Sequence, residues 1–202
     1  MSLRSNSTNV IITGVGGQGN VLAARLLASA ALAEGHEVTV GDVYGLTQRG
    51  GSVASHVRWT KGVPLPPLIP RNSLNILVAF EPLEGLRVLS QFGNKETVAV
   101  VNDRPIMPIG VQAGRFAYPD IEQLREGLQD LTKELILAEG SLVAQKLGNI
   151  QILNLVMLGA LFGSGFISLD AGGFEKTMDT AISKRHIDIN RSAFQAGIEL
   201  AR

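Results

Sequence analysis

The sequence predicts an α/β chain: a three-layer α/β/α sandwich on a mostly parallel sheet, with a helical C-terminal third. Three observations predict it. Short β-branched runs alternate with helical patterns through the first half, as a parallel sheet covered by helices requires. A glycine cluster ends the first run and opens the first helix. Beyond Tyr118 the apolar residues recur at helical spacing in one segment after another.

Taken in order, Asn9 to Thr13, "NVIIT", is the first strand. Gln18 to Ala33 carries alanine and leucine at helical spacing, and Gly35 stops it. His36 to Val40 supplies a second strand. Ser52 to Trp59, "SVASHVRW", alternates like a half-exposed strand, so the sheet can carry an antiparallel member. Lys61 to Pro70 holds four of the eight prolines and reads as an extended surface segment. Leu74 to Ala79 and Thr97 to Val101 are buried strands flanking a helix from Pro82 to Gln91 that proline opens. A short strand is expected at Gln112 to Tyr118. Helices follow at Asp120 to Leu128, Ala138 to Leu147, Asn149 to Phe162, Ala171 to Ile182 and Ile187 to Ala201.

The 202 residues suffice for one sizeable core, so a single domain over 1–202 is expected, with 1–8 a disordered or appended start. That start lacks the apolar stretch of a signal peptide, which places the protein in the cytoplasm. Lysine plus arginine (18) balance aspartate plus glutamate (18), which argues against a basic field for nucleic acid or an anionic membrane. The apolar run Ile150 to Phe162 is broken by Gln151 and Asn154 and is shorter than the ~20 residues of a membrane span. It reads as a buried helix. With no cysteine, disulfides, thiol nucleophiles and cysteine-held clusters are excluded from this chain.

Gly14-Val15-Gly16-Gly17-Gln18-Gly19 matches G-x-G-x-x-G between a strand and a helix, the setting in which backbone N–H groups and the helix dipole favour an anion. Asp42 falls where a Rossmann acid meets ribose hydroxyls. Alone, this Rossmann-like pattern says NAD. A packing-only turn remains the alternative, and two details favour it: no second strand-helix half is evident after Val101, and His36, His56 and His186 occupy unrelated contexts.

Glu81 and Asn102, with Arg104, follow strands at the C-terminal edge where open α/β sheets place ligands. Glu81 serves equally well as a helix cap. Arg49 has a fork suited to carboxylate or phosphate, beside Gly50 and Gly51, and Thr47, Gln48 and Ser52 can add neutral hydrogen bonds. The alternative for Arg49 is an ion pair with Asp42 or Glu81. His56 reads as a surface or interface residue and Asn154 as a polar group within the core. No carboxylate pair with a histidine makes a hydrolase centre, and no cluster has metal spacing, so no catalytic residue and no metal site is assigned to this chain alone.

"GVGGQG" at 14–19, "GLTQRGGSVASHVR" at 45–58, "FEPLEGLR" at 80–87, "VNDRPIMP" at 101–108, "LGN" at 147–149, "NLVMLGAL" at 154–161 and "NRSAFQAG" at 190–197 together resemble the gamma-type subunits of 2-oxoacid:ferredoxin oxidoreductases, nearest to the small (beta) subunits that act on indolepyruvate. The resemblance implies a non-redox subunit, inactive alone, in a hetero-oligomer. A larger partner would hold thiamine diphosphate, magnesium and iron-sulfur clusters, decarboxylate a 2-oxoacid such as indolepyruvate or another aryl pyruvate, and pass electrons to ferredoxin. This chain would close that site and share coenzyme A, with Gly16, Gly17, Gln18, Gly19, Thr47, Gln48, Arg49, Gly50, Gly51, Ser52, Glu81 and Asn102 facing the ligand or the partner. A stand-alone NAD-dependent dehydrogenase and a purely structural subunit remain the rivals. In the structural case the proline-rich segment and the apolar helix are candidate contact surfaces.

Overall fold

The computed structural model describes residues 7–45, 51–107 and 117–202. Its six strands are β1 (Ser7–Val15), β2 (Glu37–Tyr44), β3 (Ser52–Thr60), β4 (Ile76–Ala79), β5 (Val98–Asn102) and β6 (Glu134–Ala138), in the order β2-β3-β1-β4-β5-β6. β1, β4, β5 and β6 run parallel, and β3 is antiparallel to both β1 and β2. The helices are α1 (Asn20–Ala33), α2 (Pro82–Phe92), α3 (Ile121–Asp130), α4 (Gly140–Lys146), α5 (Leu153–Gly163), α6 (Ala171–Ala181) and α7 (Ile187–Leu200), with a 3-10 turn at Ile150–Ile152.

Strand alternation builds two cores. Val10, Ile12, Ile76, Val78 and Val100 point to the face covered by α1, α5, α6 and α7. Ile11, Leu77, Ala79, Ala99 and Val101 point to the face covered by α2 and α3. Because the central strands are buried on both faces, they read as continuous apolar runs rather than as alternation. α5 is apolar all round and is enclosed accordingly. It crosses α7 at backbone contact: a Cβ on Gly159 would lie 2.1 Å from the Phe194 carbonyl oxygen, and one on Gly197 would lie 2.0 Å from that of Val156.

Helix ends follow their caps. Pro82 opens α2 behind Glu81, whose carboxylate accepts from the Glu84 N–H at 2.9 Å. Asp120 and Asp170 cap α3 and α6 in the same way, and Gly35, at φ 80°, turns the chain after α1.

The structure departs from the sequence reading in several places. β1 opens at Ser7, because Ser7 and Thr8 pair with Thr60 and Trp59. β6 has no counterpart in the reading: its apolar stretch Leu135 to Ala138 is too short to distinguish from a helix start. Of the strand expected at Gln112 to Tyr118, residues 112–116 lie outside the described residues, and Tyr118 is irregular. His56 is a core residue, 2% exposed, rather than a surface one. It stacks edge-on against Phe92, and its Nδ1 accepts from the Ile69 N–H at 3.2 Å. Arg58, also buried, donates to Asn9 Oδ1 and to the carbonyls of Pro66 and Leu68. These bonds lash the irregular proline-rich segment to β3.

Candidate functional site

The glycine turn leaves the C-terminal end of β1. Gly17 and Gly19 have φ of 105° and 84°, a region open to glycine, and at Gly19 a Cβ would also strike the Asn154 amide at 2.8 Å. The Gln18 side chain folds back into the turn: its Oε1 accepts from the Val15 N–H at 2.6 Å, and its Nε2 donates to the Phe80 carbonyl at 2.9 Å. That amide lies 2.5 Å from where a Cβ on Gly14 would be, so it fills the hollow that the first glycine of the motif opens. Gly16 N–H donates to the Gly51 carbonyl at 2.8 Å, and Gly45 N–H to that of Ser52 at 2.8 Å. The stems of the β2–β3 connection are therefore tied to the turn. Thr47, Gln48, Arg49 and Gly50 lie outside the described residues.

Asp42 does not stand in a ribose position. β3 is interposed between β1 and β2, which moves Asp42 two inter-strand steps, roughly 10 Å, from β1. Register places it level with Ser55 and Ile12, three residues short of Val15, and the Ser55 hydroxyl donates to it at 2.5 Å. The structure thus removes the acid on which the NAD reading depended.

Two of the expected site residues are closed off from the crevice. Asn102 is fully buried at the end of β5, donating to the Phe80 carbonyl at 3.1 Å and to Ser141 Oγ at 3.0 Å, and accepting from the Ser141 N–H at 2.9 Å. With Gln18 on the same Phe80 carbonyl, it knits the ends of β1, β4 and β5 to the start of α4. Glu81 is 1% exposed. Besides capping α2, it accepts from the Tyr118 hydroxyl and, at 3.4 Å, from the Ile106 N–H. Burial pushes its carboxyl above the usual range, against the pull of the Tyr118, Glu84 and Ile106 donors and with a push from the Glu84 charge. The Tyr118 hydroxyl is held well above its ordinary value, by burial first and then by Glu81.

The open space lies beside these residues. A crevice of about 470 Å³ runs between Gly17 and Gln18 on one side, Arg104, Pro105 and Ile106 on another, and Ser141, Gln145, Ile150, Gln151 and Leu153 on the third. Arg104 makes no hydrogen bond or ion pair to any described residue. Its guanidinium, the side-chain amides of Gln145 and Gln151 and the Gly17 backbone offer donors to an anionic, amide-bearing ligand, while Ile106, Ile150 and Leu153 supply apolar wall. A second hollow of about 330 Å³ adjoins it across the turn, lined by Gly16, Gly17, Gly19, Asn20, Val21, Tyr44 and Val53. Gly16, Gly17, Gln18 and Gly19 thus border open space. Gln145 and Gln151 escaped sequence reading because their patterns are those of ordinary surface glutamines; only "LGN" at 147–149 marked the bend that brings them in. Among the described residues, no helix is long and apolar enough to cross a membrane.

Residues 9–200 match the family model described as pyruvate ferredoxin/flavodoxin oxidoreductase. Subunit IorB of the Archaeoglobus fulgidus indolepyruvate oxidoreductase is 34% identical over 193 residues, covering 96% of this chain and 94% of that protein. In fold, the chain is similar to the gamma subunit of a keto/oxoacid ferredoxin oxidoreductase from Geobacter sulfurreducens, with a TM-score of 0.69 and 20% identity over 96% of this chain and 98% of that one. It is also similar to 31% of a chain of the 2-oxoglutarate:ferredoxin oxidoreductase from Magnetococcus marinus, solved with 2-oxoglutarate, coenzyme A and succinyl-CoA bound, with a TM-score of 0.74 and 18% identity over 98% of this chain. The match along almost the whole sequence, on a parallel sheet with an antiparallel β2–β3 extension, places the chain in the pyruvate ferredoxin/flavodoxin oxidoreductase family.

Proposed function

We propose that this chain is the non-redox small subunit of a 2-oxoacid:ferredoxin oxidoreductase acting on indolepyruvate or a related aryl pyruvate. It closes the thiamine diphosphate site of a larger subunit and helps to position coenzyme A. The observation that carries this reading is the composition of one end of the molecule. Exposed Tyr44 and Ile150 line the hollows around the glycine turn, and exposed Met107 and Leu142 follow the lining residues Ile106 and Ser141 directly in sequence. An apolar rim around a crevice that holds an arginine with no hydrogen bond or ion pair to a described residue is what a subunit needs in order to seal against a partner while presenting a cation to a ligand between them. The relation to IorB supports the indolepyruvate assignment.

In this arrangement the chain moves no electrons. Thiamine diphosphate, magnesium and iron-sulfur clusters belong to the larger subunit, which delivers electrons to ferredoxin. The residues here bind and orient: Arg104 takes an anionic group, Gln145 and Gln151 take amides, and the rim excludes water. Reconstitution tests the proposal. The larger subunit assembled with this chain should reduce ferredoxin on addition of indolepyruvate and coenzyme A, and neither subunit should do so alone. Turnover by the isolated chain, or a Michaelis constant for coenzyme A unmoved by Arg104→Gln, would count against it.

A further inference from the structure

Glu81 is the most enclosed acid described in the molecule, at 1% exposure, yet it bonds to three separate parts of the chain. Its Oε2 accepts from the Glu84 N–H at the start of α2, and its Oε1 accepts from the Tyr118 hydroxyl on the arm before α3 and from the Ile106 N–H after β5. Asp103 N–H donates to the Ala138 carbonyl, which pins the chain at the end of β5. From there to Ile106, the bond to Glu81 is the one hydrogen bond among the described residues that ties the segment to the sheet, and Arg104, Pro105 and Ile106 form a wall of the crevice. A carboxylate that accepts several donors fixes them more strongly than neutral acceptors do.

We propose that Glu81 is a positioning residue, stapling the Arg104–Pro105–Ile106 wall and the Tyr118 arm to the N-terminus of α2 and so setting where the Arg104 guanidinium stands over the crevice. It meets no ligand itself. The neighbouring Glu84 completes the device: it is 3% exposed, pairs with Arg87 at 2.6 Å through one oxygen, and leaves the other, Oε2, buried with no hydrogen-bond partner among the described residues. Among the described residues no cation pairs with Glu81, and N–H and O–H donors alone hold it. For that reason removing even one neutral donor should loosen the wall.

The consequence for coenzyme A rests on the function proposed above, whereas the consequence for the wall does not. Both are read with Tyr118→Phe, which removes one hydroxyl and keeps the ring, and with Glu81→Gln. In the isolated full chain, the Ile106 amide should exchange with solvent about tenfold faster in each variant, the factor expected from one charge-assisted hydrogen bond, while the Val78 and Val100 amides in the sheet centre exchange as before. In the complex with the larger subunit, the Michaelis constant for coenzyme A should rise several-fold with kcat changed less than about twofold, a split that general destabilisation does not produce. Unchanged exchange at Ile106, or faster exchange spread equally through β4 and β5, overturns the proposal. Faster exchange confined to Ile106 with an unmoved Michaelis constant upholds the staple and counts instead against coenzyme A as the ligand of this crevice.

Discussion

The crossing of α5 and α7 sets a quantitative test of how this fold is packed. Gly159→Ala would put a methyl carbon 2.1 Å from the Phe194 carbonyl oxygen and within 2.9 Å of the Gly197 Cα, all of it backbone. Carbon and oxygen rest at ~3.3 Å or more, so the helices must part by roughly 1 Å. That gap forfeits about a quarter to a half of the dispersion attraction across the contact. Overpacking typically costs 1–3 kcal/mol where side chains can yield, and none can here, while alanine's better helix propensity offsets about 1 kcal/mol. The net expectation is a loss of about 2–3 kcal/mol, seen in urea melts of the isolated chain and as a fall in Tm of roughly 5–10 °C. Gly127→Ala is the control, since its nearest neighbour is Leu86 Cδ1 at 3.2 Å, the end of a flexible side chain. It should be neutral or stabilising by about 0.5–1 kcal/mol. If Gly159→Ala melts within about 0.5 kcal/mol of the parent, the two helices do not meet at backbone distance and the reasoning fails.

Four further outcomes follow from the polar interior and the glycine turn. Burial, and then the Arg58 charge, hold His56 below its ordinary value of 6.5, so the unfolded chain takes up a proton that the native chain resists. Its contribution to stability is therefore complete above about pH 6.5 and is lost as the pH falls below that, and His56→Gln should flatten this part of a Tm-against-pH profile. The raised Glu81 carboxyl acts with the opposite sign, favouring the native state as it protonates, so Glu81→Gln should steepen the acid loss that His56 causes. Asn102→Ala should cost about 1–3 kcal/mol in urea melts, because it strips the Ser141 N–H and hydroxyl of buried partners; a neutral result would mean that water replaces the amide. NAD should leave the Tm unmoved, whereas a ligand at a hundred times its Kd would add ~2.7 kcal/mol; a clear rise would reinstate the dinucleotide reading.

Much of the fold was legible in the sequence because its central strands announce themselves. "NVIIT", "LNILVA" and "TVAVV" are apolar on both faces, and only a parallel sheet covered on both sides accommodates that. Alternation in "SVASHVRW" likewise marked the antiparallel neighbour, although its half-exposed reading did not foresee the burial of His56 and Arg58. Their burial depends on the proline-rich segment folding back over β3, a long-range event that no local pattern encodes. β6 was illegible for a related reason: whether "ELILA" pairs with β5 or starts a helix is decided by the free edge of β5. Of the candidate site, the glycine turn was readable from spacing and Arg104 from its place after a strand. The enclosure of Glu81 and Asn102 was not, since a polar residue at a strand's end looks the same whether it faces a ligand or knots the scaffold.

That ambiguity is resolved by topology rather than by motif. A G-x-G-x-x-G turn becomes a dinucleotide site when the strand after the first helix pairs with β1 and carries an acid to the same edge. Here antiparallel β3 stands between β1 and that strand, β2, and the Gly16 N–H is bonded to the Gly51 carbonyl just before β3. Gln18 then occupies the hollow left by the motif's first glycine, and Gly17 and Gly19 keep their positive-φ role in the turn. Open volume is displaced across the turn toward Arg104, Gln145 and Gln151, on elements a dinucleotide fold does not use in this way. The same turn that resembles a dinucleotide site in sequence therefore joins, in this fold, the sheet edge to the crevice beside Arg104.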